Sequence, residues 1–278
     1  MHTNFLSPSE IALLTVNTGI RKSNLSASRK FLLGVMAGAF IALGGQAANV
    51  VTHTIADTAS AKFTAGLIFP AGLIMVLMAG AELFTGNCLM LLSLAERKLS
   101  LSKLLSSWLI VYLGNLSGGV LTAYLLSLSG QWNYTAGLLG GFTLKTAAAK
   151  ISLPFSEALI LGILCNFLVC IAVWIASGAK DAIGKAVCVF FPIWAFVASG
   201  FEHSIANMYY IPAGIFAKFS PLYVSKAVEL GASQSGIDAL NWLSMFTRNL
   251  IPVTLGNIIG GSIFVGMVYW FAYLRGED

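Results

Sequence analysis

The sequence predicts an all-α membrane protein whose six transmembrane helices form two inverted repeats of three helices each. Hydrophobic residues make up 57% of the 278 positions and charged residues only 10%, whereas a soluble domain carries about 25% charge. Six apolar stretches are each long enough to cross a hydrocarbon core, which takes about 20 helical residues. Two of the six contain polar residues near their middle, at corresponding places in the two halves of the chain.

The predicted spans cover residues 31–56, 63–95, 104–128, 157–177, 186–217 and 249–273. They place a first repeat at 31–128 and a second at 157–273, within one domain that covers residues 1–278. Residues 1–30 form a polar N-terminal segment. In it, Ser7 and Pro8 are typical of the start of a short amphipathic helix that lies on the membrane surface.

The distribution of basic residues predicts the orientation. If the N-terminus is cytoplasmic, ten of the 16 basic residues lie on the cytoplasmic side and six on the other. Cytoplasmic loops carry the excess of lysine and arginine in membrane proteins. We therefore expect both termini in the cytoplasm, and a location in the inner (cytoplasmic) membrane.

The second and fifth spans are too long for straight transmembrane helices. They cover about 33 and 32 residues, which would measure about 50 Å as a helix, against a hydrocarbon core of about 30 Å. Their middles read AGAELFTGN (79–87) and SGFEHSIANM (199–208). Non-helical backbone at that depth is tolerated only where protein or a watery cavity surrounds it. Both spans are therefore predicted to be broken helices.

The two halves share further patterns. The sequence L-G-N-x-x-G-G occurs in the third span from Leu113 and in the sixth from Leu255, and Gly-x-Glu marks both breaks. Because each half has three spans, an odd number, the halves must be inverted relative to each other. Inverted repeats with paired discontinuous helices favour a substrate site near the membrane midplane.

Three ionisable residues lie deep in the apolar runs: Glu82, Glu202 and His203. A charge at the centre of a transmembrane helix costs about 2.5–3.5 kcal/mol, so each needs a partner or a role. The glutamates either accept hydrogen bonds from free N–H groups of their own broken helices or relay protons. His203 is either a neutral histidine bonded to backbone or a group that exchanges protons near neutral pH.

Four polar residues allow two interpretations each. Thr85 either caps a helix or presents its hydroxyl to a substrate path through the protein. Lys150 either reaches the membrane surface or faces the path. Asn166 and Asn257 either join neighbouring helices by hydrogen bonds or line the path. The four cysteines lie in apolar runs without metal-ligand spacing, so we expect no metal and no cofactor.

Several of these stretches together resemble the formate/nitrite transporter family. They are AELFTGN at 81–87, Lys150 ahead of the fourth span, GILCNFLVC at 162–170, FVASGFEHSIANM at 196–208 and NLIPVTLGNIIGG at 249–261. The resemblance extends over all six spans. It implies an aquaporin-like protomer in a homopentamer, with one pore per protomer, and substrates such as formate, nitrite or hydrosulfide.

Carried onto this sequence, the resemblance implies a pore at Thr85 and His203, with Lys150 in the outer vestibule. Asn166 and Asn257 would line the site, beside Glu202. One apolar constriction would contain Leu73, Leu83 and Phe84, and the other Phe69 and Phe196. The Gly86-Asn87 pair differs from the Ser-Thr pair of some formate-conducting members, which weakens the assignment of formate in particular.

Two mechanisms are open for a small anion. It either crosses as an anion, helped by Lys150 and the amides, or accepts a proton from His203 and crosses as the neutral acid. A carboxylic acid with a pKa of about 4 is neutral in only about one part in a thousand at pH 7, which favours the second. Channel and proton-coupled transporter are not distinguished.

Two other classes compete with an anion pathway. A water or glycerol pore would need paired Asn-Pro-Ala loops, yet none of the seven prolines follows an asparagine. An intramembrane enzyme would need a motif such as His-Glu-x-x-His or paired aspartates in the spans, and the sequence has neither. We expect no enzymatic activity and no nucleic-acid partner; the expected partners are small anions, protons, lipid and further copies of the chain.

Overall fold

The computed structural model describes residues 4–276, and its secondary structure is almost entirely helical. Six helices in this range are long and apolar enough to span a membrane, as predicted. In chain order the helices are α1 (Pro8–Ser23), α2 (Ala27–Thr52), α3 (Thr58–Ala79), α4 (Phe84–Ala95), α5 (Leu101–Leu128), α6 (Leu138–Ile151), α7 (Phe155–Gly178), α8 (Ala182–Ser199), α9 (Ser204–Ala217), α10 (Pro221–Glu229), α11 (Gln234–Ala239) and α12 (Trp242–Tyr273).

The N-terminal helix α1 begins where the sequence predicted. Ser7 caps it and Pro8 occupies its first turn, and the Glu10 side chain accepts a hydrogen bond from the Ser7 backbone N–H at 2.7 Å. This reciprocal capping satisfies N–H groups that the helix itself leaves free. The hydrogen bonds from the Ser7 backbone and hydroxyl hold the pKa of Glu10 below its usual value.

The second and fifth spans are broken, as the sequence predicted. Gly80 directly follows helix α3 and Gly200 directly follows helix α8, with φ angles of 80° and 74°. Glycine adopts this left-handed conformation without steric cost, so the chain can turn out of the helix at both positions. The extended residues 81–83 and 201–203 follow, and α4 and α9 then begin at Phe84 and Ser204.

Close glycine contacts hold the helices of each half together. A methyl group placed on Gly118 of α5 would lie 2.0 Å from the carbonyl oxygen of Val35 in α2. In the other half, a methyl group on Gly260 of α12 would lie 2.1 Å from the carbonyl oxygen of Ile163 in α7. The same backbone-to-backbone approach therefore occurs at equivalent places in the two repeats.

Three helices between the spans were not predicted from the sequence: α6, α10 and α11. The stretch between the third and fourth spans contains α6, and Lys150 stands in the last turn of this helix. Helix α6 packs against α9 and α10. Lys150 is therefore carried by a packed helix next to the second break.

Candidate functional site

The two breaks meet at Thr85 and His203. The Thr85 hydroxyl and the His203 Nε2 atom are 2.8 Å apart, and the two residues are 0% and 3% exposed. Thr85 belongs to the first turn of α4, and His203 is the residue before α9. The structure thus brings together the two side chains that the sequence placed in separate breaks.

The surroundings of His203 determine its tautomer. The backbone N–H of Ala206 donates to His203 Nδ1 at 3.1 Å, so Nδ1 carries no hydrogen. A neutral ring then has its hydrogen on Nε2 and donates to the Thr85 hydroxyl. The Thr85 O–H remains free to donate to another molecule. A second proton on the ring would bind to Nδ1 and would place that N–H against the N–H of Ala206.

An apolar void lies beside His203. Its volume is about 10 Å³, close to the smallest cavity that holds one water molecule. The rings of Phe69 and Phe196 cross edge to face, with centroids 5.6 Å apart. The lining residues are Ile41, Phe69, Leu73, Leu83, Val169, Ile193, Phe196 and His203. The passage is therefore closed at this point.

Residues expected in both constrictions line this one void. Leu73 and Leu83, expected in one, line the same void as Phe69 and Phe196, expected in the other. Phe84 does not line this void. Its ring packs against Trp108 and Tyr112, at centroid distances of 5.9 and 5.0 Å.

A larger cavity of about 510 Å³ opens on the side of the void away from α1. We call it the vestibule. It shares Phe69, Phe196 and His203 with the void. Its other polar and charged lining residues are Asn49, Thr52, Lys62, Lys145, Thr146, Lys150, Glu202, Asn207 and Tyr210.

Glu202 is the centre of a polar network at the vestibule wall. Lys150 donates to its carboxylate at 2.9 Å. Asn207 donates to the same carboxylate at 2.6 Å, and Asn249 at 3.3 Å. From the sequence, either backbone N–H groups or a proton relay could account for this buried carboxylate. The structure gives it a lysine and two amides instead.

Glu82 has an equivalent network on the opposite side. The Lys22 ammonium lies 3.1 Å from its carboxylate, and the Asn87 amide donates to it at 2.8 Å. Lys22 also donates to the Asn87 side-chain oxygen at 2.7 Å. The lysine comes from α1, so this network joins the N-terminal helix to the first break.

Asn115 fastens the first break to its neighbours. Its side-chain oxygen accepts from the Phe84 N–H at 2.9 Å. Its amide donates to the carbonyl oxygens of Gly34 and Glu82, at 2.8 and 2.9 Å. These bonds satisfy the backbone groups that the interruption of the helix leaves free.

Asn257 does the same at the second break. It accepts from the Ser204 N–H at 2.9 Å and donates to the carbonyl oxygens of Gly162 and Glu202 at 2.8 and 3.0 Å. Asn166 donates to the carbonyl oxygens of Thr85 and Asn257. Neither asparagine lines the void or the vestibule. Of the two readings, the hydrogen bonds between helices are the ones observed.

Sequence reasoning missed several members of these networks. They are Lys22, Asn87, Asn115, Asn207 and Asn249. A signal for three of them was present, because an asparagine follows each buried glutamate by five positions and Asn115 occupies the repeated L-G-N motif. Lys22 and Asn249 have no such signal. No group of three histidine, cysteine or acidic residues between positions 4 and 276 could hold a metal ion.

Comparisons with known proteins give matches over nearly the whole chain. A family model described as formate/nitrite transporter matches residues 9–271. The chain is 38% identical to a probable formate transporter of Methanothermobacter thermautotrophicus, over 99% of this chain and 100% of that protein. It is 37% identical to the formate channel FocA of Escherichia coli K12, over 99% and 97%.

A solved structure is also similar. The structure of a pentameric formate channel with formate bound superposes with a TM-score of 0.79 at 36% identity, covering 90% of this chain and 98% of that one. These matches cover the two breaks, their networks and all six spans. The chain is a multi-pass membrane protein and belongs to the formate/nitrite transporter family.

Proposed function

We propose that this protein carries formate across the cytoplasmic membrane and is not an enzyme. The observation that carries the proposal is the Thr85–His203 contact of 2.8 Å, whose histidine lines both an apolar void and a lysine-lined vestibule. A hydroxyl donor beside an imidazole suits a small carboxylate. Relatives that are named as formate channels or transporters, and that match over nearly their full length, support the choice of formate.

The void next to His203 resists a bare anion. Its lining is apolar apart from the histidine, and an ion without polar partners is costly to bury. His203 is the only titratable residue among those lining it. A proton taken up by formate at this point would convert it into a neutral acid that can pass between Phe69 and Phe196.

The resting histidine does not hold that proton. The Ala206 N–H bond at Nδ1 favours the neutral ring. A formate ion arriving at Thr85 changes the balance, because a nearby negative charge favours the charged form of an imidazole. His203, which also lines the vestibule, would therefore take up a proton from water there as the anion arrives and pass it to the carboxylate, which returns the ring to its neutral form and couples formate movement to proton movement.

The Asn87 position bears little on the choice of anion. Its side chain donates to Glu82 and accepts from Lys22, and it does not line the void or the vestibule. The departure from the Ser-Thr pair of some formate-conducting members thus falls in the network behind the pore.

The protein would act as a homopentamer with both termini in the cytoplasm. The similar solved structure is described as pentameric, and native mass spectrometry in mild detergent should show five copies of the chain. The orientation follows from the ten basic residues on the side of α1. To test the orientation, a cysteine can be introduced near residue 276 at the C-terminal end. It should react with a membrane-impermeant thiol reagent only after the cells are opened.

The experiment that tests the substrate is uptake into proteoliposomes. Formate should enter faster than nitrite or hydrosulfide, and protein-free liposomes should show only the slow leak of formic acid. Equal or faster flux of nitrite or hydrosulfide would assign one of these anions instead. Rapid swelling with glycerol and no anion flux would identify a neutral-solute pore and reject the proposal.

A further inference from the structure

The vestibule contains more positive charge than its salt bridge uses. Its charged lining residues are Lys62, Lys145, Lys150 and Glu202. Lys150 is bound to Glu202 at 2.9 Å, so this pair is neutral as a unit. An anion approaching from solution is therefore attracted mainly by the remaining two lysines.

Lys62 is the lysine whose charge is least compensated. Among residues 4–276 its ammonium has no ion pair or hydrogen bond. It lies beside the end of α8, since a methyl group placed on Gly200 would be 3.3 Å from its Nζ atom. The C-terminal end of a helix carries only about half a negative charge. This contact can hold the ammonium in place without neutralising it.

Lys145 is more constrained than Lys62. Its ammonium donates to the carbonyl oxygen of Leu230 at 2.7 Å. That oxygen lies at the end of α10. Lys145 therefore contributes to the field of the vestibule while its position is fixed by α10, and Lys62 is the residue free to reach an incoming anion.

Asn49 supplies a hydrogen-bond donor in the same cavity. The residue is 5% exposed and lines the vestibule. Its amide nitrogen is buried and has no hydrogen-bond partner in the described part of the chain. An unpaired buried donor costs about 1–3 kcal/mol, so a ligand that accepts a hydrogen bond from Asn49 would be favoured. Asn49 and Lys62 come from α2 and α3, which pack side by side.

We propose that Lys62 and Asn49 form a capture subsite for small monovalent anions in the vestibule, before Lys150 and the Thr85–His203 contact. This inference rests on the proposed anion conduction. Lys62 supplies the attraction and Asn49 a directed hydrogen bond to a carboxylate oxygen. The paired Lys150 fixes Glu202 at the vestibule wall, and it is not the main source of attraction.

The test is the concentration dependence of formate uptake in proteoliposomes at low ionic strength. Lys62→Met should raise KM about threefold to tenfold with little change in the maximal rate, because long-range attraction acts on capture. Lys62→Arg should retain the wild-type KM. Asn49→Leu should raise KM about threefold, and the isosteric Asn49→Asp should raise it further by repelling the anion.

Two controls separate capture from general damage. Lys226→Met removes a lysine that is paired with Glu229 at 2.7 Å and does not line the vestibule, and it should leave KM unchanged. The effect of Lys62→Met should also shrink as the salt concentration rises to about 1 M, where the screening length is about 3 Å.

The outcomes bear on different claims. Saturable wild-type uptake with unchanged KM in both Lys62→Met and Asn49→Asp would overturn the subsite and leave the proposed function intact. A rise in KM that persists undiminished at high salt would also overturn it, because the effect would then be structural. Absence of any wild-type anion flux would reject the proposed function, and the capture role with it.

Discussion

The Nζ atom of Lys22 lies 3.1 Å from the carboxylate of Glu82, an ion pair that repeats the Lys150–Glu202 pair on the other side of the protein. Both glutamates follow the glycine at which a span breaks off. Each also accepts a hydrogen bond from the asparagine five residues later. Each break is therefore held by a lysine from a helix outside its own span, α1 in one half and α6 in the other.

The first prediction concerns the docking of α1. Lys22→Met should weaken the attachment of α1 to the first break, because Lys22 joins this helix to both Glu82 and Asn87. Hydrogen–deuterium exchange of residues 8–23 should become faster. The neighbouring Arg21→Met, at an exposed position, is the matched control and should leave exchange unchanged. Equal exchange in wild type and Lys22→Met would show that the other contacts of α1, such as the hydrogen bond from Ser93 to the Val16 carbonyl oxygen, are enough to hold it.

The second prediction concerns the buried pair at the vestibule. Lys150→Met leaves the Glu202 carboxylate, which is 7% exposed, without its cation. Breaking a buried pair by removing one partner costs about 3–5 kcal/mol, so the thermal midpoint in detergent should fall clearly. The double variant Lys150→Met/Glu202→Gln should recover much of the loss. A double variant less stable than either single variant would contradict this account of the pair.

The third prediction concerns the asparagine that fastens the second break. Asn257→Leu removes three hydrogen bonds and leaves the Ser204 N–H and the Glu202 carbonyl oxygen of the break without this partner. Unsatisfied buried groups cost about 1–3 kcal/mol each, so the variant should be destabilised by at least about 2 kcal/mol. Ser117→Ala, which removes an exposed hydroxyl in α5, provides the comparison. If Asn257→Leu keeps wild-type stability and loses only flux, Asn257 acts on the substrate instead.

The fourth prediction concerns helix packing in the first repeat. Gly118→Ala should destabilise the protein, since the added methyl group would lie 2.0 Å from the Val35 carbonyl oxygen, which belongs to a backbone that cannot easily move. Gly86→Ala is the control, because a methyl group there meets only Val173 at 3.5 Å. Thermal unfolding of the two variants should differ by several degrees. Equal midpoints would mean that α2 and α5 can separate without cost.

The fold could be predicted from the sequence because its signals are local and repeated. The length of each apolar stretch indicates a span, and the sequence Gly-x-Glu inside a stretch that is too long for one helix indicates each break. Helix α6 lacks such a signal. With 14 residues and both Lys145 and Lys150, it is too short and too polar to be recognised as a span, and it forms by packing against α9 and α10.

The candidate site could be predicted only in part. Thr85 and His203 stand in the breaks, and the repeat brings the breaks together. The partners of the glutamates come from distant positions, as with Lys22 and Glu82, and nothing local indicates such a pairing. The packing of Phe84 was not predicted for a related reason: its ring lies against Trp108 and Tyr112 in α5, which the sequence does not place next to it.

The central claim, that His203 couples formate movement to protons, is tested most directly by formate uptake with simultaneous measurement of internal pH. Wild-type proteoliposomes should acidify in step with formate uptake, faster than protein-free liposomes. His203→Asn keeps a polar side chain that cannot act as an acid in this pH range, so we expect slower formate uptake that is no longer coupled to acidification, with the remaining uptake carried as an anion current. Unchanged acidification per formate in the His203→Asn protein would contradict the account and leave the histidine as a residue that only shapes the pore.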